Sequence, residues 1–127
     1  MTSAQVLVVE DNDKNMKLFR DVLQASGYRP LEATTGQRAI ELAVEHAPNL
    51  VLMDIQLPDI DGVVALGRLR SDERTATIPV VALTAQAMHG DRERFIEAGF
   101  DGYLSKPVDV MELIQTVRTH CEEASDE

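Results

Sequence analysis

Residues 49–61 read NLVLMDIQLPDID, and this stretch decides how the chain folds. Its apolar run over residues 50–53 is typical of a strand that is buried on both faces of a parallel sheet. Asp54 follows the run directly, and the Pro, Asp and Gly residues at 58–62 indicate a loop. Open α/β sheets bind their ligands at the carboxyl ends of such strands, whereas a loop aspartate also commonly serves as a turn or helix-cap residue. Asp54 is therefore a candidate site residue, with a turn or cap role as the alternative.

Size and composition limit the class of protein. A chain of 127 residues with 44% hydrophobic residues is long enough to bury the core of one domain. Its single cysteine, Cys121, cannot form an intramolecular disulfide, and the sequence has no Cys/His cluster of the metal-binding kind. The N-terminus lacks a secretion signal, and no apolar run approaches the roughly 18 residues of a membrane span. We therefore expect a cytoplasmic protein.

The charge balance argues against nucleic acid as a partner. Twelve basic residues against 22 acidic ones give a net charge of −10, and no local basic patch offsets it. Several of the acids lie at the C-terminal end, which is typical of a solvated terminus. We expect one domain over residues 1–122, followed by an acidic tail over residues 123–127.

Strand and helix patterns alternate along the chain. Short apolar runs predict strands over residues 5–9, 31–33, 50–53, 79–83 and 102–104, and apolar residues at helical spacing predict helices over 14–26, 36–47, 62–69, 88–98 and 109–121. Thr34 or Thr35 can cap the second helix. Pro30 weakens the second strand, which suits an edge position in the sheet. Five such units predict an α/β fold in which a five-stranded parallel sheet carries helices on both faces.

Polar residues stand where four of the five strands end. These residues are Glu10 and Asp11, Asp54, Thr84, and Lys106. Because the carboxyl ends of parallel strands share one edge of the sheet, we expect these side chains to converge. Taken singly, these residues also have purely structural alternatives: Asp11 or the nearby Asp13 could cap a helix, and Lys106 could be a surface lysine. The convergence favours a site.

Mg²⁺ and a phosphoryl group suit this set of side chains. Clustered carboxylates are costly to hold ionised unless a divalent cation neutralises them, and hard oxygen ligands favour Mg²⁺. The Lys106 ammonium and the Thr84 hydroxyl can hold phosphoryl oxygens. Asp54 remains as a nucleophile that could form an aspartyl phosphate.

The motifs VLVVEDND, VLMDIQLPDIDG, VVALTA and GYLSKP closely resemble those of the response-regulator receiver family, over nearly the whole chain. The run VEDNDKNMKLF further resembles stand-alone, DivK-type regulators. The resemblance implies that residues 1–122 form a receiver domain with the flavodoxin-like (βα)5 fold and the strand order 2-1-3-4-5.

The same resemblance implies a metal site and a phosphoacceptor. Asp54 matches the phosphoacceptor, and Asp11 matches a direct Mg²⁺ ligand, which Mn²⁺ can replace. Glu10 matches an acid that acts through water, and the backbone carbonyl of Gln56 matches a third protein ligand. The acidic pair is Glu-Asp where Asp-Asp is also common, a variant that should leave metal binding intact.

The resemblance also implies a switch. Thr84 matches the switch hydroxyl, Tyr103 the switch aromatic residue and Lys106 the phosphate-binding lysine, with a cis peptide expected between Lys106 and Pro107. The amides of Gln56 and Gln86, two residues after Asp54 and Thr84, could orient or exclude water and so set the phosphate lifetime.

Three functions are compatible with these residues. The first is a signalling protein that takes a phosphoryl group from a phosphohistidine on a sensor histidine kinase or a phosphotransfer protein. Its signal would reach a downstream protein through the fourth helix, fifth strand and fifth helix. The second is a metal-dependent phosphatase with an aspartyl nucleophile, but the position that needs a general acid holds Gln56. The third is a binding module that is never phosphorylated, against which the complete set of site residues argues.

Overall fold

The computed structural model describes residues 4–85 and 91–125. Strands and helices alternate along these residues: β1 (Gln5–Val9), α1 (Asp13–Ala25), β2 (Arg29–Ala33), α2 (Gly36–His46), β3 (Leu50–Asp54), α3 (Gly62–Arg70), β4 (Val80–Thr84), α4 (Asp91–Ala98), β5 (Gly102–Ser105) and α5 (Val110–Ser125). All strand pairs are parallel, and the order in the sheet is β2-β1-β3-β4-β5. The predicted fold and strand order are therefore confirmed.

Each face of the sheet supports its own hydrophobic core. One core joins β-strand residues such as Leu7 and Met53 to the buried faces of α2, α3 and α4. The other joins Val8 and Leu52 to the buried faces of α1 and α5, and it includes Cys121. Successive residues of β1 and β3 alternate between the two cores, so these central strands are covered on both faces. This burial explains why their sequences are continuous apolar runs.

The elements begin and end close to their predicted positions, with a few differences. The cap of α1 is Asn12, whose side chain accepts a hydrogen bond from the Asn15 N–H at 3.0 Å. The expectation that Asp13 caps this helix is therefore wrong, and Asp13 lies in the first turn instead. Thr35 caps α2 as predicted. The strand β2 is an edge strand, as Pro30 suggested.

Two predicted boundaries fall near the limits of the described residues. The predicted start of the fourth helix at Met88 lies outside them, and α4 is described from Asp91 onward. The helix α5 continues to Ser125, past its predicted end at Cys121. Within residues 4–85 and 91–125, none of the helices is long and apolar enough to cross a membrane.

Candidate functional site

The parallel sheet brings the polar strand ends to one edge. Asp54 is the last residue of β3 and Thr84 the last of β4, while Glu10 follows β1 and Lys106 follows β5. Thr84 pairs in register with Ser105, so the end of β4 lies beside the residue that precedes Lys106. A cleft at this edge is lined by Glu10, Asp11, Asn12, Asn15, Asp54, Gln56, Leu57, Pro58, Ala85 and Lys106. Four of the five residues predicted to converge, Glu10, Asp11, Asp54 and Lys106, line this cleft together with Gln56. The fifth, Thr84, ends the neighbouring strand β4 and is not among the residues that line the cleft.

Lys106 lies between two buried carboxylates. Its ammonium group is 2.5 Å from Glu10 Oε1 and 2.7 Å from Asp54 Oδ2. Glu10 is 1% exposed and Asp54 6% exposed, so both charges are largely removed from water. Buried carboxylates of this kind require a cationic partner, and Lys106 supplies it.

The electrostatics of these groups follow from burial and contact. Burial raises the pKa of Glu10 above its usual value even though Lys106 and the Asn12 N–H donate hydrogen bonds to it, and the neighbouring Asp54 adds to the increase. Burial also acts to lower the pKa of Lys106, but hydrogen bonds to Asp54 and Glu10 outweigh it, so this pKa is raised. Lys106 therefore remains an ammonium group at neutral pH.

Hydrogen bonds hold both oxygens of the Asp54 carboxylate. Oδ2 accepts from Lys106, and Oδ1 accepts from the Gln56 N–H at 2.9 Å. The second bond is a local turn interaction, so the turn role weighed for Asp54 is real. It does not remove Asp54 from the cleft, because the same carboxylate contacts Lys106 across the sheet edge.

The acidic residues form a group that could hold a cation. One carboxylate oxygen from each of Glu10, Asp11 and Asp54 lies within 4.8 Å of the others. Within residues 4–85 and 91–125, the described ion pairs of Glu10 and Asp54 are with Lys106, one cation beside three carboxylates. Hard oxygen donors with an excess of negative charge fit Mg²⁺, and the exposed Asp11 leaves an approach from solvent. The residues present therefore fit a divalent metal ion.

The residues expected to act in a switch lie on β4 and β5, the strands that follow β3 in the sheet. Thr84 is buried at the end of β4, and its backbone carbonyl accepts from the Lys106 N–H at 2.8 Å. Tyr103 is half-buried in β5, with its ring stacked on Phe95 of α4 at a centroid distance of 5.8 Å. The Lys106–Pro107 peptide bond is cis. Gln86 lies outside the described residues.

Two aspartates that the sequence marks only as loop residues, Asp59 and Asp61, bond to the starts of helices. The Asp61 carboxylate accepts from the Val63 N–H and caps α3. The Asp59 carboxylate accepts from Gly36 and Gln37 at the start of α2. The cap at Asp61 could have been found, because an aspartate precedes the first apolar residues of a helix there. The contact of Asp59 joins residues more than 20 positions apart and leaves no local signal.

Comparisons with known proteins agree with this geometry. The model of the response regulator receiver domain family matches residues 6–118. The polar-differentiation response regulator DivK of Brucella ovis is 47% identical over 119 residues, which cover 94% of this chain and 97% of DivK.

Solved structures of receiver domains are also similar to this chain. The receiver domain of the sensor histidine kinase PA1611 from Pseudomonas aeruginosa, which has a magnesium ion coordinated in its active site cleft, is 34% identical with a TM-score of 0.87. That match covers 95% of this chain and 99% of the PA1611 chain. The receiver domain of Saccharomyces cerevisiae Ssk1, crystallised with the histidine phosphotransfer protein Ypd1, matches with 28% identity and a TM-score of 0.84, over 94% of this chain and 89% of that chain.

Proposed function

This chain belongs to the response regulator receiver domain family, a family of two-component signalling proteins, and from that premise we propose that Asp54 accepts a phosphoryl group from a phosphohistidine. The observation that carries the proposal is the buried Asp54 carboxylate beside the Lys106 ammonium, in a cleft that is open to solvent. A carboxylate in this position is accessible to a donor on one side and is supported by a fixed cation on the other.

The transfer exchanges one bond to phosphorus for another. An oxygen of Asp54 attacks the phosphorus, a P–O bond forms, and the P–N bond to the donor imidazole breaks. The bonding electron pair leaves with the imidazole nitrogen, which takes up a proton. Lys106 is already within hydrogen-bonding distance of Asp54, so its ammonium can move onto the negative phosphoryl oxygens without a large rearrangement.

Glu10, Asp11, Asp54 and the backbone carbonyl of Gln56 would hold the metal ion. Support for these roles comes from the carboxylate group around Glu10 and from the magnesium ion in the PA1611 receiver domain. When bound, Mg²⁺ or Mn²⁺ supplies positive charge that offsets the carboxylates and the phosphoryl oxygens. The single positive charge of Lys106 cannot offset the negative charge of the carboxylates and of the phosphoryl oxygens together.

Phosphorylation changes the surface formed by α4, β5 and α5. Thr84 and Tyr103 would couple the site to that surface, because the end of β4 is paired with β5 and Tyr103 is stacked on Phe95 of α4. Exposed apolar side chains on α4 and α5, Ile96 and Met111, offer contacts for a downstream protein. The donor is a sensor histidine kinase or a histidine phosphotransfer protein, in keeping with the Ssk1 complex with Ypd1.

The test is phosphoryl transfer from a phosphohistidine-loaded phosphotransfer protein, with Mg²⁺ present. We expect one phosphoryl group on the wild-type chain and none on Asp54→Asn, and no sustained turnover of a chromogenic phosphate ester. Label on Asp54→Asn at the wild-type rate would overturn the assignment of Asp54. Sustained ester turnover would favour the phosphatase, although Gln56 offers an amide where that chemistry needs an acid.

A further inference from the structure

The loop between β3 and α3, residues 55–61, is attached to the start of α2. Asp59 Oδ1 accepts from the Gly36 N–H at 2.8 Å, and Asp59 Oδ2 accepts from the Gln37 N–H at 2.9 Å. These N–H groups belong to the first turn of α2, where backbone donors have no partner inside the helix. One carboxylate from a distant loop therefore satisfies two of them.

An apolar contact supports this attachment. Gly36 is buried, and a Cβ atom placed on it would lie 2.5 Å from Ile60 Cγ1 and 2.9 Å from Ile60 Cδ1. Ile60 thus occupies the space that a side chain at position 36 would need. The loop packs against α2 as well as bonding to it, so its position depends on α2.

The other end of the loop closes beside the phosphoacceptor. The Gly62 N–H donates to the Ile55 carbonyl at 2.9 Å, and a Cβ on Gly62 would lie 2.8 Å from the Asp54 carbonyl oxygen. Gln56 lies in the loop between Ile55 and Gly62, and its N–H donates to Asp54 Oδ1. A displacement of the loop would therefore move the donor that orients the reactive carboxylate.

We propose that Asp59 is a positioning residue for phosphorylation of Asp54. Held by the N-terminus of α2, it fixes the loop so that the Gln56 N–H keeps the Asp54 carboxylate aimed into the cleft. Asp59 is exposed and does not line the cleft, so it acts through the loop and not on the phosphoryl group. This role rests on the proposed function of Asp54.

A carboxylate suits this role better than an amide. Two different oxygens accept from two different N–H groups, whereas an asparagine keeps only one good acceptor. The bonds from Gln37 and Gly36 also lower the pKa of Asp59, so the group is ionised at neutral pH and complements the positive end of α2. We therefore expect Asp59→Asn to retain part of the function that Asp59→Ala loses.

Thr35 provides a matched control on the same helix. Its hydroxyl oxygen accepts from the Arg38 N–H at 3.1 Å, so Thr35 caps α2 from the position directly before the helix. The change Thr35→Ala removes a cap of α2 and leaves in place the hydrogen bonds that the Gly36 and Gln37 N–H groups donate to Asp59. A loss seen with Asp59→Ala and not with Thr35→Ala would therefore come from the loop and not from a weaker helix.

The experiment measures two quantities on the full chain. The first is the rate of Asp54 phosphorylation by phosphoramidate over a range of concentrations with Mg²⁺, which separates the maximal rate from the half-saturating concentration. The second is hydrogen exchange of the Gln56 amide by NMR. For Asp59→Ala we expect a maximal rate roughly tenfold lower, with a half-saturating concentration near that of wild type, and faster exchange at Gln56. Asp59→Asn should fall between, and Thr35→Ala should match wild type in both.

The inference is overturned if Asp59→Ala behaves like Thr35→Ala in rate and its Gln56 amide exchanges at the wild-type rate. Should Asp59→Ala fail to fold, the same comparison between Asp59→Asn and Thr35→Ala decides. If the wild-type chain itself is not phosphorylated on Asp54, the proposed function fails. The exchange of the Gln56 amide then still reports whether Asp59 holds the loop.

Discussion

Two groups of side chains are held together by different interactions. The charged group at the sheet edge consists of Glu10, Asp11, Asp54 and Lys106, and the aromatic group beside α4 consists of Phe95, Phe100 and Tyr103. In the first, the Lys106 ammonium lies within 2.7 Å of carboxylate oxygens from Glu10 and Asp54. In the second, Phe95 contacts Tyr103 at 5.8 Å in a stacked arrangement and Phe100 at 5.9 Å edge to face. Directional charge contacts hold the first group, whereas packing holds the second.

This difference assigns separate tasks to the two groups. A new charge on Asp54 would act on the first group at once, because every contact there depends on charge. The aromatic rings themselves carry no net charge, and the Arg94 guanidinium lies 5.2 Å from the centroid of the Phe95 ring. These rings respond chiefly by repacking, which tends to occur between discrete arrangements. Thr84 is the last residue of β4, the strand that pairs with β3 on one side and with β5 on the other. Changes in the charged group should therefore have the larger effects on stability.

Lys106→Met should give the largest change in stability. It keeps much of the side-chain volume but leaves the buried Glu10 and Asp54 carboxylates without their cation. We expect the free energy of unfolding to fall by about 3 kcal/mol without Mg²⁺, as measured by urea denaturation. Adding Glu10→Gln to Lys106→Met removes one of the repelling charges and should recover about 1 kcal/mol. A Lys106→Met protein as stable as wild type would show that the charged group is not held together by charge.

Thr84→Ala should separate phosphorylation from its output. The hydroxyl can bond a phosphoryl oxygen, and a hydrogen bond to a charged acceptor contributes roughly 1.5–3 kcal/mol. We expect Asp54 to be phosphorylated normally, while the gain in partner affinity on phosphorylation falls by about one to two decades. Thr84→Ser retains the hydroxyl and should behave like wild type. An undiminished gain in Thr84→Ala would remove Thr84 as the link between the two groups.

Asp11→Ala tests the metal-binding part of the charged group. It removes a charged oxygen that lies within the group formed with Glu10 and Asp54, so Mg²⁺ affinity should fall by roughly tenfold or more in calorimetric titration. Asp13→Ala is the control, because Asp13 is an exposed acid in the first turn of α1. Equal Mg²⁺ affinities for the two variants would contradict the role of Asp11.

The smallest effect is the change in thermal stability expected for a substitution of Asp59, which belongs to neither the charged nor the aromatic group. Bonds from Gln37 and Gly36 lower the pKa of Asp59 in the folded chain. Its stabilising contribution is therefore complete above the unfolded value of about 4 and is lost as the pH falls through the lower folded value. The melting temperatures of wild type and Asp59→Asn should differ at about pH 6 and converge as the pH falls through the lowered pKa of Asp59 in the folded chain. A difference that stays constant over this range would show that the carboxylate charge of Asp59 contributes nothing.

The sequence predicted the fold and the site edge because both follow from local patterns. Buried runs such as the one before Asp54 mark parallel strands, and parallel strands collect their carboxyl ends at one edge. Glu10 and Lys106 lie 96 residues apart, yet their meeting could be expected from this rule alone.

The features that escaped prediction depend on tertiary contacts or on small differences between neighbours. The bonds from α2 to Asp59 depend on how the loop packs on Gly36, which no periodicity reports. Asn12 and Asp13 are both good cap residues, and it is Asn12 that has the extended backbone of a cap, with φ −90° and ψ 121°. The stacking of Tyr103 on Phe95 depends on how α4 is positioned over β5.

The central claim is that Asp54 takes the phosphoryl group, and chemical mapping of the acceptor tests it most directly. The wild-type chain would be treated with phosphoramidate and Mg²⁺, reduced with borohydride, which converts an aspartyl phosphate to homoserine, and analysed by peptide mass spectrometry. We expect homoserine at position 54 and unmodified residues at Glu10 and Asp11. Homoserine at another aspartate, or none at position 54 in a chain shown to be phosphorylated, would contradict the claim.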